Sequence, residues 1–139
     1  MAFAQIRWVV DKRVLLLKLL GKYDVEALKQ GVLELETFLQ QGKQPLYLIV
    51  DQTEISDYPK NFREPINIIS PLHEKYPTAW TIIITSNAMF RFFGAVIANT
   101  FKMQFRPVKS MSEACDVIEG VDPALAMQMR ATLSTEMPD

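Results

Sequence analysis

The chain has one cysteine, Cys115, and one histidine, His73. A lone cysteine excludes an intramolecular disulfide, and a reducing, cytoplasmic compartment is the simpler expectation. A lone histidine, with no cysteines or carboxylates at ligand spacing, does not build a typical zinc site. It falls in "SPLHEKYP" and reads as a surface residue near a helix end. The sequence also lacks a glycine-rich phosphate loop, a Gly-x-Ser-x-Gly elbow and a Cys-x-x-Cys pair. Nothing supports an enzyme, and no cofactor or metal is expected. Charge bias is missing as well: 15 basic against 16 acidic residues leave a net charge of -1. That balance, with Lys and Arg scattered, gives no support to a nucleic-acid partner. Long apolar runs are absent too. "VLLLKLL" is interrupted by Lys18 and preceded by Asp11, Lys12 and Arg13. It is too short to span a bilayer, and no small-residue cleavage site follows it. What is present is ordinary globular composition, 49% apolar and 22% charged over 139 residues, which fits one domain.

The order of elements is legible from local pattern. "FAQIRWVV" and "RVLLLKLL" flank a polar Asp-Lys joint and read as an antiparallel hairpin. "GKYD" then breaks the strand. Asp24 caps a helix whose Val25, Leu28, Val32, Leu35 and Leu39 form one apolar stripe, with Gly42 as a left-handed stop. "PLYLIV" and "WTIIIT" are continuous apolar runs, which suit strands buried on both faces. A helix over roughly 61–76 lies between them, with Asn61 and Glu64 as a capping pair and Pro71 expected to kink or break it. After "WTIIIT", Ser86 or Asn87 caps another helix. "MQFRPV" is an edge strand because Pro107 cannot donate to a ladder. "SMSE" opens a helix with Met111, Ala114, Cys115 and Ile118 on its apolar face, and Gly120 ends it. Asp122-Pro123 opens a last helix carrying Leu125, Met129 and Leu133. The β-β-α-β-α-β-α-β-α-α order predicts an α/β fold with a mixed, mostly parallel sheet of about five strands covered by helices.

This order, with its hairpin start, resembles the STAS domain of sulphate transporters and anti-sigma-factor antagonists. "LLLKLLGKYDVEALKQGVLEL" resembles the family's second strand and first helix. "LYLIVDQTEIS" is similar to its central strand, with Asp51 in the place of the strand-end aspartate. "KSMSEACDVIEG" is similar to its last strand-to-helix passage. The resemblance covers roughly residues 3–120; residues 1–120 are read as the STAS-like domain and 121–139 as its C-terminal helical extension. It implies a bacterial, cytoplasmic, non-enzymatic regulatory or protein-interaction module. Family members that act as switches carry a phosphorylated serine in an Asp-Ser-Ser-Gly-type stretch. Here that stretch matches Pro59, Lys60, Asn61 and Phe62, with no serine, so a phosphorylation switch at that position is not expected. The same broad fold includes the CRAL-TRIO lipid-binding domains, and an apolar-ligand carrier is the alternative class.

In open α/β sheets, ligands favour the carboxyl ends of the strands. The sequence gathers Asp51, Gln52, Thr53, Ser56, Asp57, Tyr58, Lys60 and Asn61 from one such loop, and Thr85, Ser86 and Asn87 from another. Helix caps and turns are the competing reading of all of them, and a hydrogen-bonded strand-end carboxylate is the competing reading of Asp51. Cys115 reads as a small buried hydrophobe.

The last feature is a concentration of aromatics. "MFRFFGAVIANTFKMQFRP" holds five of the eight phenylalanines. On a helix from about Ala88 to Met103, Phe90, Phe93, Ile97 and Phe101 form one stripe and Met89, Phe92 and Val96 a second. Arg91, Ala95, Ala98 and Lys102 lie opposite. The apolar sector is wider than one sheet-packing face needs. Either neighbouring helices cover the second stripe, or Met89, Phe92, Phe93 and Val96 face a partner subunit or an apolar ligand. The C-terminal "ALAMQMRATL" is a candidate cover, in its own chain or in a homodimer mate.

Overall fold

The computed structural model describes residues 2–57, 63–88, 91–92, 95–96, 99 and 104–136. Its strands are β1 (Phe3–Val10), β2 (Val14–Lys22), β3 (Tyr47–Asp57), β4 (Trp80–Ile84) and β5 (Phe105–Val108). Its helices are α1 (Val25–Leu39), α2 (Arg63–Lys75), α3 (Met111–Glu119) and α4 (Pro123–Glu136). Between β4 and β5, Ala88, Arg91, Phe92, Ala95, Val96 and Asn99 are helical. The sheet runs β1-β2-β3-β4-β5, antiparallel between β1 and β2 and parallel thereafter. This is the mixed, mostly parallel sheet that the sequence order predicts.

The continuous apolar runs fill two cores, one on each face of the sheet. Strand residues alternate in direction, so a run buried on both faces must be apolar at every position. Val14, Leu16, Tyr47, Ile49, Ile82 and Ile84 pack against α3 and α4. Leu15, Leu17, Leu19, Leu48 and Val50 point the other way and pack against Leu35 and Leu39 of α1 and Leu72 of α2. α4 packs on α3 and β1 and buries Leu125, Ala126 and Met129 in the first core. Its apolar face is thereby occupied.

The caps are those the sequence announces. Asp24 accepts from the Ala27 N–H at 2.8 Å, Ser110 from the Glu113 N–H at 3.1 Å, and Asp122 from the Leu125 N–H at 3.1 Å. Glu113 reaches back to the Lys109 N–H at 2.8 Å, one residue before the cap. β5 pairs only with β4 among the described strands and is an edge, as Pro107 requires.

Four local expectations are corrected. The hairpin turn takes three residues, Asp11 to Arg13, with Lys12 left-handed at φ 62°. β2 continues through "GK", because Gly21 takes φ 90° and the ladder accommodates a bulge there. Gly42 does not take the left-handed conformation; a side chain there would meet Leu46 at 3.1 Å, so close packing is what restricts it. Pro71 lies inside α2 without ending it. The helix is held beyond the proline by the buried Leu72, whose carbonyl accepts from the Tyr76 N–H at 2.9 Å.

Candidate functional site

The first group of candidates lies along β3. The strand runs to Asp57, so Asp51, Ser56 and Asp57 are strand residues where the sequence suggested a loop. Pairing with β2 carries it that far, across an irregularity between Lys18 and Leu20. Asp51 Oδ1 accepts from the Thr53 N–H at 2.9 Å and from the Thr53 hydroxyl at 2.7 Å. A carboxylate engaged by its own strand shapes a bulge and is poorly placed as a general base. Lys18 pairs with Glu54 across the same irregularity. The hydrogen bond to Glu54 raises the Lys18 pKa against burial, which lowers it, and the Glu54 and Asp51 charges add to the rise. Ser56 is exposed. Tyr58, Lys60 and Asn61 lie outside the described residues.

The second group follows β4. Ser86 and Asn87 are exposed. The Asn87 N–H donates to Thr85 Oγ1 at 3.1 Å, and the Asn87 carbonyl accepts from the Arg91 N–H at 3.1 Å. Asn87 thus opens a helical turn, as a cap residue does. The sheet order does not reverse anywhere along its parallel part, and α1 and α2 both contribute to the second core. A switch-point crevice needs a reversal with helices leaving to opposite faces. The topology therefore makes no such crevice for these two loops.

The Phe-rich helix leaves Phe92, of the second apolar row, exposed and Arg91, of the opposite side, half-buried. Phe92 is 62% exposed. Val96 is half-buried, and Met89 and Phe93 lie outside the described residues. The exposed stripe is Ala88, Phe92, Ala95 and Asn99, at i, i+4, i+7 and i+11. Arg91, expected on the outer side, is half-buried, with Nε closed to solvent and no hydrogen-bond partner among the described residues. Two rows of apolar residues around one helix fit either rotation, which is why periodicity did not settle it. Leaving Phe92 in water forgoes roughly 1.5–3 kcal/mol of burial. α4 does not supply a cover through its buried face, which is held by the first core.

A third feature was not read from the sequence. A cavity of about 160 Å³ lies between the sheet and helices α1 and α2. Its walls are mostly aliphatic, with Leu17, Leu19, Leu48 and Val50 from the sheet and Val32 and Ile69 from the helices. Gln52 lines it, and Gln52 Oε1 is closed to solvent with no hydrogen-bond partner among the described residues. His73 also lines it, half-buried in the last turn of α2. Tyr23, which lines it, is buried, and its phenol titrates above the ordinary value because burial disfavours the phenolate and Glu34 adds negative charge. Two sequence signals point here in retrospect: a glycine, Gly31, in the middle of α1, and a glutamine continuing the inward series Leu46, Leu48, Val50.

Cys115 is buried, and burial raises its pKa, with Arg130 opposing. Among the described residues, no group of three or more His, Cys, Asp or Glu could hold a metal ion, and no helix is long and apolar enough to cross a membrane.

Solved structures share this arrangement of strands and helices. An uncharacterized protein of the DUF3478 family with a SpoIIAA-like fold, from Shewanella loihica PV-4, is 20% identical with a TM-score of 0.61, covering 83% of this chain and 91% of that one. The anti-sigma factor antagonist SpoIIAA in its unphosphorylated form is 17% identical with a TM-score of 0.57, over 85% of this chain and 97% of that one. The chain has the SpoIIAA-like, STAS-type fold. An anti-sigma factor antagonist from Mycobacterium paratuberculosis, at 11% identity and a TM-score of 0.53, covers 86% of this chain and 95% of its own. At these identities the likeness is one of fold. No protein-family model matches the sequence, nor does any curated protein. In this SpoIIAA-like frame, Phe92 and the cavity are features that packing of the described residues leaves unexplained, beside the exposed Leu33, Val121 and Met127.

Proposed function

We propose that the chain is a non-enzymatic regulatory module that associates through the face carrying Phe92, with a second copy of itself as the partner. The single observation behind this is the exposed stripe Ala88, Phe92, Ala95, Asn99. A large aromatic set between two alanines is self-complementary. In a two-fold interface the Phe92 of one copy sits over the small residues of the other, and the reverse contact follows by symmetry. The fold shared with anti-sigma factor antagonists supports a regulatory rather than a catalytic role. Phe92→Asp tests the reading. It should leave the circular dichroism spectrum unchanged and halve the mass measured by light scattering. An unchanged mass, dimeric or monomeric in both proteins, would sink the interface.

A second part of the reading is that the module is not switched by a phosphoserine between residues 56 and 61. The stretch matched to the family's phosphorylated motif holds Pro59, Lys60, Asn61 and Phe62. Peptide mass spectrometry of the protein from its host should find no stoichiometric phosphate there; finding it would restore the switch.

The alternative, a small carrier for an apolar ligand, is favoured by one observation, the aliphatic cavity. That cavity is lined by α1, α2 and the sheet rather than by Phe92.

A further inference from the structure

The second core is well supplied with leucine, yet the described residues leave a cavity in it. The cavity of about 160 Å³ persists beside Gly31, in the interior of α1. Glycine is the least favourable helix residue apart from proline, because it loses most backbone freedom. Close packing does not require it here, since a Cβ at Gly31 would meet nothing within 4 Å. What the missing side chain does is keep space. Gly31 and Tyr23 border both the cavity and a shallow surface groove formed with Ala4, Glu26 and Gln30. They are the two residues that line both.

The far wall carries a polar group without a partner. Gln52 Oε1 is closed to solvent and accepts no hydrogen bond from the described residues. Buried acceptors are satisfied in the great majority of cases, and an unsatisfied one destabilises more than a typical hydrogen bond stabilises. An apolar chamber, one unmatched acceptor and a glycine at its margin together describe a site for a molecule.

We propose that this cavity binds a small, mostly apolar molecule the size of a single aromatic ring, admitted past Gly31 and donating one hydrogen bond to Gln52 Oε1. The size follows from the volume. Apolar cavities of about 150 Å³ hold a benzene-sized molecule, whereas drug-sized ligands need roughly 300–1,000 Å³. The proposal rests on the carrier reading and deepens it with a place and a chemistry; it does not depend on the Phe92 face.

Phenol and toluene are suitable probes, because they share shape and differ in the donor. Both are titrated into the full chain by calorimetry, for wild type, Gly31→Leu and Gln52→Leu. Wild type should bind phenol at one site. Gly31→Leu fills the chamber and should weaken phenol at least about ten-fold without lowering the melting temperature, leucine being the better helix former. Gln52→Leu continues the apolar series and should lower the ratio of phenol to toluene affinity about ten-fold, the value of one buried hydrogen bond. No saturable phenol binding by folded wild type, or an unchanged ratio in Gln52→Leu, overturns the proposal. That ratio decides the matter even if Gly31→Leu does not fold. A long-chain lipid extracted from the purified protein, without phenol binding, overturns the proposal and leaves the carrier reading standing. Neither extracted mass nor binding overturns both.

Discussion

Two buried tyrosines and one buried thiol set the alkaline behaviour of the fold. Tyr23 and Tyr47 are nearly closed to solvent, and burial pushes both phenols above the ordinary tyrosine range. Glu34 adds to the shift at Tyr23; at Tyr47, Asp122 adds to it and Arg13 opposes it. Cys115 is raised in the same sense by burial. A group whose folded pKa lies above its unfolded value stabilises fully below the unfolded value, and that stability is lost as pH rises through the folded one. The decline should therefore start near the ordinary thiol value, about 8.5, and steepen past the ordinary phenol value, about 10. Urea midpoints measured across that range should fall, Cys115→Ala should delay the onset, and Tyr23→Phe should flatten the upper part. Level midpoints in the wild type would contradict the assignment. Single residues were also where the sequence was most legible. Asp24, Ser110 and Asp122 act on backbone donors three residues away, so the needed information is local. Asp51 was legible only in part: its bond to a nearby amide was anticipated, whereas its place inside a strand was not.

At the scale of elements, α2 is the one that its sequence opposes. Pro71 removes a hydrogen bond in the interior of a 13-residue helix, which persists because Leu72 is anchored in the second core. Pro71→Ala should restore the bond and stabilise the chain by about 1–3 kcal/mol, the lower figure allowing for the added freedom of the unfolded chain. Equilibrium urea unfolding measures it, and a loss of stability would mean that the proline shapes the seat of α2. β3 shows the opposite failure of local reading. "DQTEIS" has lost the apolar run and resembles a loop, but β2 supplies a partner through Lys22 and the strand continues to Asp57. Strand length here is a tertiary property. The Phe-rich helix was legible as a helix but not in its rotation, since apolar residues on most of its circumference leave the choice to its neighbours.

For the whole molecule, the two-core architecture was readable because every position of "LYLIV" and "WTIII" is apolar or small, and only a sheet covered on both faces uses such runs. The cavity was not readable in advance, because a void depends on how α1 and α2 seat against the sheet; Gly31 and Gln52 mark its place only once that seating is known. The exposed Phe92 remains the feature with the largest consequence for the whole chain, because one aromatic between two alanines invites a symmetric mate. Native mass spectrometry of the purified protein tests this most directly. The wild type should appear at twice the chain mass and Phe92→Asp as a single chain, whereas a wild-type protein found only as a single chain would rule the dimer out.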